Sequence, residues 1–185
     1  MTATLARIEL TDPDSYRKKL RNLLGSRKPL EVLSQTPEVL AAITNECSAE
    51  KLRRRPFEGK WTPNEVLGHL VDTEMVYGYR LRAILCDDRP TIIGMDQEKW
   101  VAVQGHNLRE PSEHIESFGL LRRFNINLWR RLTSDQLKRV GLHNERGEEA
   151  LGTMLEMEAG HDLSHIDQIQ RYLAAIEEKT RTRGG

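Results

Sequence analysis

Apolar residues recur at spacings of three and four along most of the chain, with charged residues between them. This period is typical of helices that bury one face and expose the other. The pattern predicts helices over about residues 12–24, 31–47, 62–86, 111–132 and 150–176. The turn-rich segment from Val140 to Gly147 is predicted to contain a small hairpin. Because helices dominate, the sequence predicts an all-α fold.

The clearest helix start lies at Thr62-Pro63-Asn64-Glu65. Thr62 is a good N-cap, proline suits the first helical position, and Glu65 completes a capping box. The helix that begins here is expected to run to Leu85 or Cys86 and to turn His69 toward the interior. After it, residues 87–100 lose the helical period and are predicted to form a long irregular connection that supplies one wall of a pocket.

The chain is predicted to form one domain, because its 185 residues suit a single core and no linker divides them. Residues 1–28 are interpreted as an N-terminal extension with a short helix, for which Asp12, Pro13 and Asp14 form the start. Residues 29–178 are interpreted as the helical bundle, and residues 179–185 as a charged, disordered tail.

Charge and hydropathy exclude several classes of function. Lys and Arg number 28 and Asp and Glu also number 28, so no net charge attracts nucleic acid or an anionic membrane. The sequence contains neither an apolar run of membrane-spanning length nor a secretion signal. We therefore expect a cytoplasmic protein without a nucleic-acid or membrane partner. In that compartment Cys47 and Cys86 are expected to remain free thiols.

Three histidines are candidates for metal chemistry. His161 and His165 lie four residues apart, which places their side chains about 40° apart around a helix and about 6 Å apart along it. Both can reach one ion, and His69 supplies a third nitrogen if its helix faces theirs. Three neutral imidazoles leave a coordination position open for water or substrate, as in catalytic sites. The alternative is that His69 is a hydrogen-bonded core residue and that the pair has its spacing by chance.

Four other side chains are candidates from helical geometry and from their place in the connection. Asp72 follows the first histidine by three residues, and Glu158 precedes the second by three. Each carboxylate can therefore accept a proton from a ligand's second ring nitrogen or act as a base. Surface ion pairing is the alternative for both. Arg80 and Asp96 are candidates for contacting a polar substrate, and the alternative is that both are solvated.

Two segments of the chain carry a resemblance to a known family. They are Lys60–Glu74 and Gly160–Ile169, reinforced by Tyr79–Arg82, Gly94–Trp100 and His143–Gly147. On these motifs, and along residues 16–176, the sequence closely resembles the DinB-like family, in the branch of metal-dependent hydrolases related to the YfiT-like proteins. The resemblance implies an up-down-down-up four-helix bundle that is commonly a homodimer. It also implies that the metal ligands are His69, His161 and His165.

The resemblance favours a metal-dependent enzyme that acts on a small molecule. Zinc or nickel suits three imidazoles, whereas calcium and magnesium prefer oxygen ligands. Some relatives resemble transferases that join a low-molecular-weight thiol, such as bacillithiol or mycothiol, to an electrophile. The first interpretation is therefore a thiol S-transferase. A metal-dependent hydrolase is one alternative, and a non-catalytic metal-binding dimer of a stress response is another.

Overall fold

Four long helices form the frame of the molecule. A computed structural model describes residues 13–183. Its helices are α1 (Pro13–Leu24), α2 (Pro29–Asn45), α3 (Ala49–Leu52), α4 (Pro63–Cys86), α5 (Gln97–Gln104), α6 (Pro111–Trp129), α7 (Ser134–Leu137) and α8 (Leu151–Arg183). A 3₁₀ turn spans His106–Leu108, and the strands are β1 (Thr91–Ile92), β2 (Val140–His143) and β3 (Gly147–Ala150). Asp12, predicted to help start α1, lies outside the described residues.

The long helices α2, α4, α6 and α8 form a four-helix bundle with directions up, down, down and up. The helices α4 and α6 run parallel, because Glu74 contacts Arg122 and, further along both helices, Arg82 contacts Asn125. Two parallel neighbours need a long crossover, which residues 87–110 supply. The predicted all-α fold and its up-down-down-up topology are confirmed.

The capping box at the start of α4 forms as predicted. Thr62 Oγ1 accepts a hydrogen bond from the Glu65 backbone amide at 3.0 Å, and Glu65 Oε2 accepts one from the Thr62 amide at 2.6 Å. Two backbone donors that a helix start leaves free are thereby satisfied. The helix then runs to Cys86, the predicted end.

Pro37 lies inside α2, where it removes one helical hydrogen bond. The carbonyl that loses its partner belongs to Leu33, four residues earlier. Arg122 of α6 donates to this carbonyl at 3.2 Å, so a side chain of the neighbouring helix replaces the missing amide. Pro37 is therefore a point of contact between two helices, and α2 continues through it.

The connection between α4 and α6 is more regular than predicted. Thr91 and Ile92 form β1, which pairs in parallel with β2, and β2 pairs antiparallel with β3 in the predicted hairpin. Asp96 then caps α5, because its Oδ1 accepts from the Lys99 amide at 3.1 Å. The strand was not predicted because its partner lies about 50 residues further along the chain.

Two apolar clusters fill the bundle, and a polar layer separates them. On α4, one cluster contains Val66, Leu67 and Leu70 and the other contains Tyr77, Leu81 and Ile84. The stretch between them, and the matching turns of α8, carry buried polar side chains: His69, Asp72, Thr73, Glu74, Glu158, His161 and Asp162. The interior therefore holds a layer of ionisable groups midway along the bundle.

The helix α8 is longer than predicted. It runs to Arg183, whereas the sequence pattern placed its end near Ile176 and a disordered tail from residue 179. Residues 184–185 lie outside the described part of the chain. Within residues 13–183, no helix combines the length and the apolar character needed to cross a membrane.

Candidate metal centre

Three histidine side chains meet in the polar layer between α4 and α8. His69 Nε2 lies 3.2 Å from His161 Nε2, which lies 3.0 Å from His165 Nε2. The three atoms that can act as ligands lie within 4.8 Å of one another. Around a tetrahedral zinc ion with Zn–N distances of about 2.0–2.1 Å, neighbouring nitrogens are about 3.3 Å apart. The arrangement therefore fits one small divalent ion.

Burial keeps all three imidazoles neutral. It lowers the pKa of His69 and of His161 well below the ordinary histidine value, and the nearby His165 lowers both further. Burial also lowers the pKa of His165 to about 4, against the effect of a hydrogen bond with Gln168. A neutral imidazole keeps the lone pair that a metal ion needs. The electrostatics of the layer therefore favour ligation.

Gln168 fixes the orientation of the His165 ring. Its Oε1 lies 2.7 Å from His165 Nδ1, while its Nε2 donates to the Tyr172 hydroxyl at 3.0 Å. An amide oxygen only accepts hydrogen bonds, so Nδ1 of His165 carries the proton. The lone pair then lies on Nε2, which faces the other two histidines. This is the tautomer that a metal ligand requires at this position.

The predicted contact between Asp72 and His69 does not form. Asp72 Oδ2 accepts instead from His106 Nε2 at 2.9 Å and from Gln104 Nε2 at 2.8 Å. No group among the described residues forms a hydrogen bond with His69 Nδ1. A Cβ on Gly68 would lie 2.7 Å from His106 Cβ. Only glycine at this position therefore lets the His106 ring pack against α4, where it donates to the Asp72 carboxylate in place of His69.

Glu158 also lies elsewhere than predicted. Its Oε1 is 3.7 Å from Arg122, in a buried cluster with Glu74 and Asp162, and no hydrogen bond within residues 13–183 reaches Nδ1 of His161. Burial, reinforced by the charge of Glu74, raises the pKa of Glu158 well above its usual range. A general base must lie within hydrogen-bond reach of the group it deprotonates, and Glu158 faces Arg122 instead of a candidate ligand. Glu158 therefore belongs to the packing behind the site.

Two polar partners of the site were missed in the sequence. Gln168 follows His165 by three residues, so the spacing rule applied to Asp72 would have found it. His106 carried no such signal, because 34 residues separate it from its acceptor and no local rule connects them. Local spacing therefore indicates the Gln168 contact, whereas the His106 contact arises only from the packing of the helices.

A polar cavity of about 270 Å³ opens beside His165. Its lining includes Gln168, Tyr16, Tyr172, Lys60 and Trp61. Gln97 and Glu98 also line it, so the segment 87–100 supplies part of a wall as expected. A larger groove of about 670 Å³ between α2 and α6 contains none of the three histidines, and we do not assign it to the site.

Neither Arg80 nor Asp96 is among the residues that line this cavity. Asp96 is exposed, and its carboxylate caps α5. Arg80 is buried and donates to the backbone carbonyl of Ile93. Asp96 thus has a local structural role, whereas Arg80 joins α4 to the segment that follows β1.

Comparison with known proteins agrees with this architecture. The family model described as the DinB superfamily matches residues 33–169. A relative in Oceanobacillus iheyensis, named "Putative metal-dependent hydrolase OB0413", is 28% identical over 131 residues, which cover 71% of this chain and 75% of the relative. "Putative metal-dependent hydrolase YfiT" of Bacillus subtilis is 26% identical over 149 residues, which cover 78% and 83%.

The solved structure of Bacillus subtilis YfiT, described as an unusual four-helix bundle, shares the fold. Its TM-score to this chain is 0.70 at 21% identity, and the match covers 92% of this chain and 91% of YfiT. The family match spans the four bundle helices and contains all three histidines of the candidate centre. The chain therefore belongs to the DinB superfamily.

Proposed function

We propose that this protein is a divalent-metal-dependent enzyme in which His69, His161 and His165 hold a zinc or nickel ion. The observation that carries the proposal is the convergence of three Nε2 atoms beside a polar cavity. All three ligands are nitrogens, which suits zinc and nickel better than calcium or magnesium. Three protein ligands leave at least one coordination position for a reacting group.

The reaction we propose first is transfer of a low-molecular-weight thiol, such as bacillithiol or mycothiol, to an electrophilic small molecule. His69, His161 and His165 would hold the divalent cation, which would lower the pKa of a thiol bound to it. The thiol proton passes to water, the sulfur lone pair forms a bond to the electrophilic carbon, and the leaving group departs with the electrons of the broken bond. Cys47 and Cys86 are absent from the cavity lining, which favours a thiol supplied from outside.

The chain's own groups would orient the reactants. Tyr16, Tyr172 and Lys60 line the cavity beside His165, and we propose that their hydroxyl and ammonium groups hold polar substituents of a substrate. Gln168 keeps the His165 ring in place while also lining the cavity. The Trp61 ring packs against His69, with centroids 5.0 Å apart, and shields that ligand from water.

A second candidate is metal-dependent hydrolysis, in which water takes the place of the thiol. The names of the relatives in Oceanobacillus iheyensis and Bacillus subtilis favour it. A third candidate is a metal-binding dimer without catalysis. Its site would be sealed by a fourth ligand, whereas the described residues bring three together beside a cavity.

The first test is elemental analysis of protein purified without a histidine tag. We expect close to one zinc or nickel per chain, lost in the His161→Ala/His165→Ala variant. The His114→Ala variant is the matched control, because His114 is also buried but donates to the His106 carbonyl at 3.0 Å. Circular dichroism of all three proteins checks the fold. A wild-type protein that binds neither metal after reconstitution would refute the proposal.

Metal-loaded protein then separates the candidate reactions. Turnover of an electrophile that needs both added thiol and bound metal would support the transferase. Turnover of esters or amides that needs metal but no thiol would support the hydrolase and reject thiol transfer. A metal-loaded protein inactive in both assays would favour the non-catalytic dimer.

A further inference from the structure

The polar cavity beside His165 is rich in hydrogen-bond donors. Its lining includes Tyr16, Lys60 and Tyr172, which come from α1, from the segment before α4 and from α8. No hydrogen bond or ion pair of residues 13–183 supplies an acceptor for either hydroxyl proton or for the ammonium. A single cavity of about 270 Å³ is therefore lined by three residues whose polar groups can each donate to a bound molecule.

A chain of hydrogen bonds leads from a candidate metal ligand to Tyr172. His165 Nδ1 donates to Gln168 Oε1 at 2.7 Å, and Gln168 Nε2 donates to the Tyr172 hydroxyl oxygen at 3.0 Å. Because the Tyr172 oxygen accepts, its own proton is left for a third partner. Each member of the chain thus donates outward from the metal centre, and the chain needs an acceptor at its outer end.

The packing of the two tyrosines makes an acceptor valuable. Only 7% of the Tyr172 surface is exposed, and its ring packs edge-to-face on Phe57 with centroids 6.1 Å apart. Burial raises the pKa of Tyr16 above the ordinary tyrosine value, so this hydroxyl keeps its proton at neutral pH. A hydroxyl that is withdrawn from water and lacks an acceptor is costly, and a bound acceptor removes that cost.

Lys60 gives the donor set a positive charge. It is half-buried and has no carboxylate partner among the described residues, whereas Arg55, which donates to the Lys60 carbonyl, is paired with Glu65 at 3.2 Å. The other charged residue of the lining is Glu98, which accepts a hydrogen bond from Trp61 Nε1 at 3.2 Å. One ammonium and two hydroxyls suit an acceptor with a single negative charge, and the Glu98 carboxylate disfavours a dianion.

We infer that Tyr16, Lys60 and Tyr172 form a subsite for a carboxylate of the substrate. A carboxylate has two acceptor oxygens and one negative charge, which match two hydroxyl donors and one ammonium. A carboxylate bound there completes the chain through Gln168 and is held beside His165. Its assignment to the substrate rests on the proposed function, whereas carboxylate binding by these three residues requires no metal.

Titration of the metal-free protein with sodium acetate, followed by NMR, tests the subsite. The indole N–H of Trp61 and the side-chain amide of Gln168 report binding, because both residues line the cavity. At constant ionic strength we expect acetate to shift both signals to saturation, and acetamide, a neutral molecule of similar shape, to leave them in place. Methylphosphonate, which carries more negative charge, should bind more weakly than acetate. A failed metal analysis leaves this result unaffected, and the reverse also holds.

Two variants identify the groups that bind acetate. Lys60→Met removes the cation and Tyr172→Phe removes one hydroxyl, and we expect each to weaken binding about tenfold, the effect of one hydrogen bond to a charged group. Lys28→Met and Tyr79→Phe are the matched controls and should bind acetate like the wild type. Lys28 is paired with Glu31 at 2.9 Å, Tyr79 is 67% exposed on α4, and neither lines the cavity.

Tyr16→Phe completes the set and should weaken acetate binding by a similar factor. Circular dichroism checks the fold of every variant. Unchanged acetate affinity in Lys60→Met or in Tyr172→Phe would overturn the inference. Equal shifts with acetamide and acetate, or tighter binding of methylphosphonate than of acetate, would equally contradict a carboxylate subsite.

Turnover by the metal-loaded protein tests the link to the substrate. We expect Lys60→Met to lower kcat/KM about tenfold more for substrates that carry a carboxylate than for their amide analogues. An equal loss for both kinds of substrate would mean that Lys60 does not bind the substrate through a carboxylate.

Discussion

At the scale of single residues, the candidate centre depends on hydrogen bonds that choose a tautomer. Gln168 holds the proton of His165 on Nδ1 and so directs the Nε2 lone pair toward the other histidines. Neither His69 nor His161 has such a partner on Nδ1 among the described residues. His165 is therefore the candidate ligand for which we expect metal affinity to depend most on a neighbouring side chain.

Changing Gln168 should change metal affinity in two directions. Gln168→Leu removes the acceptor, and we expect zinc affinity to fall by about 10- to 100-fold, the usual effect of losing such a partner. Gln168→Glu supplies a stronger acceptor and should bind zinc at least as tightly as the wild type. Competition with a chromophoric chelator measures both affinities.

Gln104→Leu is the matched control for this pair of variants. Gln104 donates to Asp72 and contacts none of the three histidines through its amide, so its loss should leave zinc affinity unchanged. Equal affinities in Gln168→Leu and wild type would mean that packing alone orients His165.

At the scale of helices, α1 and α8 come into close contact beside the candidate centre. A Cβ on Gly160 would lie 2.8 Å from the Leu20 carbonyl carbon and 2.9 Å from Leu20 Cβ. Gly160 directly precedes His161, so the backbone of α1 rests on the turn of α8 that carries a candidate ligand. The glycine is required by this contact, against the general preference of helices for alanine.

Alanine substitutions at two helical glycines should therefore have opposite effects. Gly160→Ala forces α1 and α8 apart, and we expect it to lower the free energy of unfolding by about 1–3 kcal/mol. Gly119→Ala, in α6, places its Cβ in open space and should raise that free energy by about 0.5–1 kcal/mol. Urea denaturation measures both, and a stabilised Gly160→Ala variant would show that the two helices do not meet closely.

At the scale of the whole molecule, the outer face of α4 and α6 carries large apolar side chains that are exposed. Tyr79 and Phe124 expose 67% and 64% of their surfaces, and Met75 lies one turn from Tyr79. The Arg82 guanidinium carbon lies 4.5 Å from the centre of the Phe124 ring, so this face is continuous across the two helices. The expected homodimer stays a prediction, and we propose that it forms through this face.

Light scattering during size-exclusion chromatography tests the dimer. We expect a mass near twice the 21.3 kDa of one chain, reduced to that of one chain by Tyr79→Glu/Phe124→Glu. Val39→Glu is the matched control, because Val39 is 38% exposed on α2, which lies diagonally across the bundle from α4. A wild-type mass of 21.3 kDa would refute the dimer.

The sequence determined the helices and the candidate ligands because both are local properties. A period of three to four residues decides which face of a helix is buried, and a capping box such as Thr62 with Glu65 marks where a helix begins. The spacing of His161 and His165 likewise places them on one side of α8. The contact between Gln168 and His165 is local in the same way, because the two residues lie one helical turn apart.

Only the tertiary structure decided which polar groups became partners. Asp72 accepts a hydrogen bond from His106 and not from His69, which is nearer in the sequence. Arg122 donates both to Asp162 and to the Leu33 carbonyl, whose helical partner is missing because of Pro37. These partners lie 34 to 89 residues apart, so the pairing follows from how the helices pack. The hydrophobic period of the sequence predicts which residues are buried. The hydrogen-bond partner of a buried polar group depends instead on which groups the packed helices place next to it.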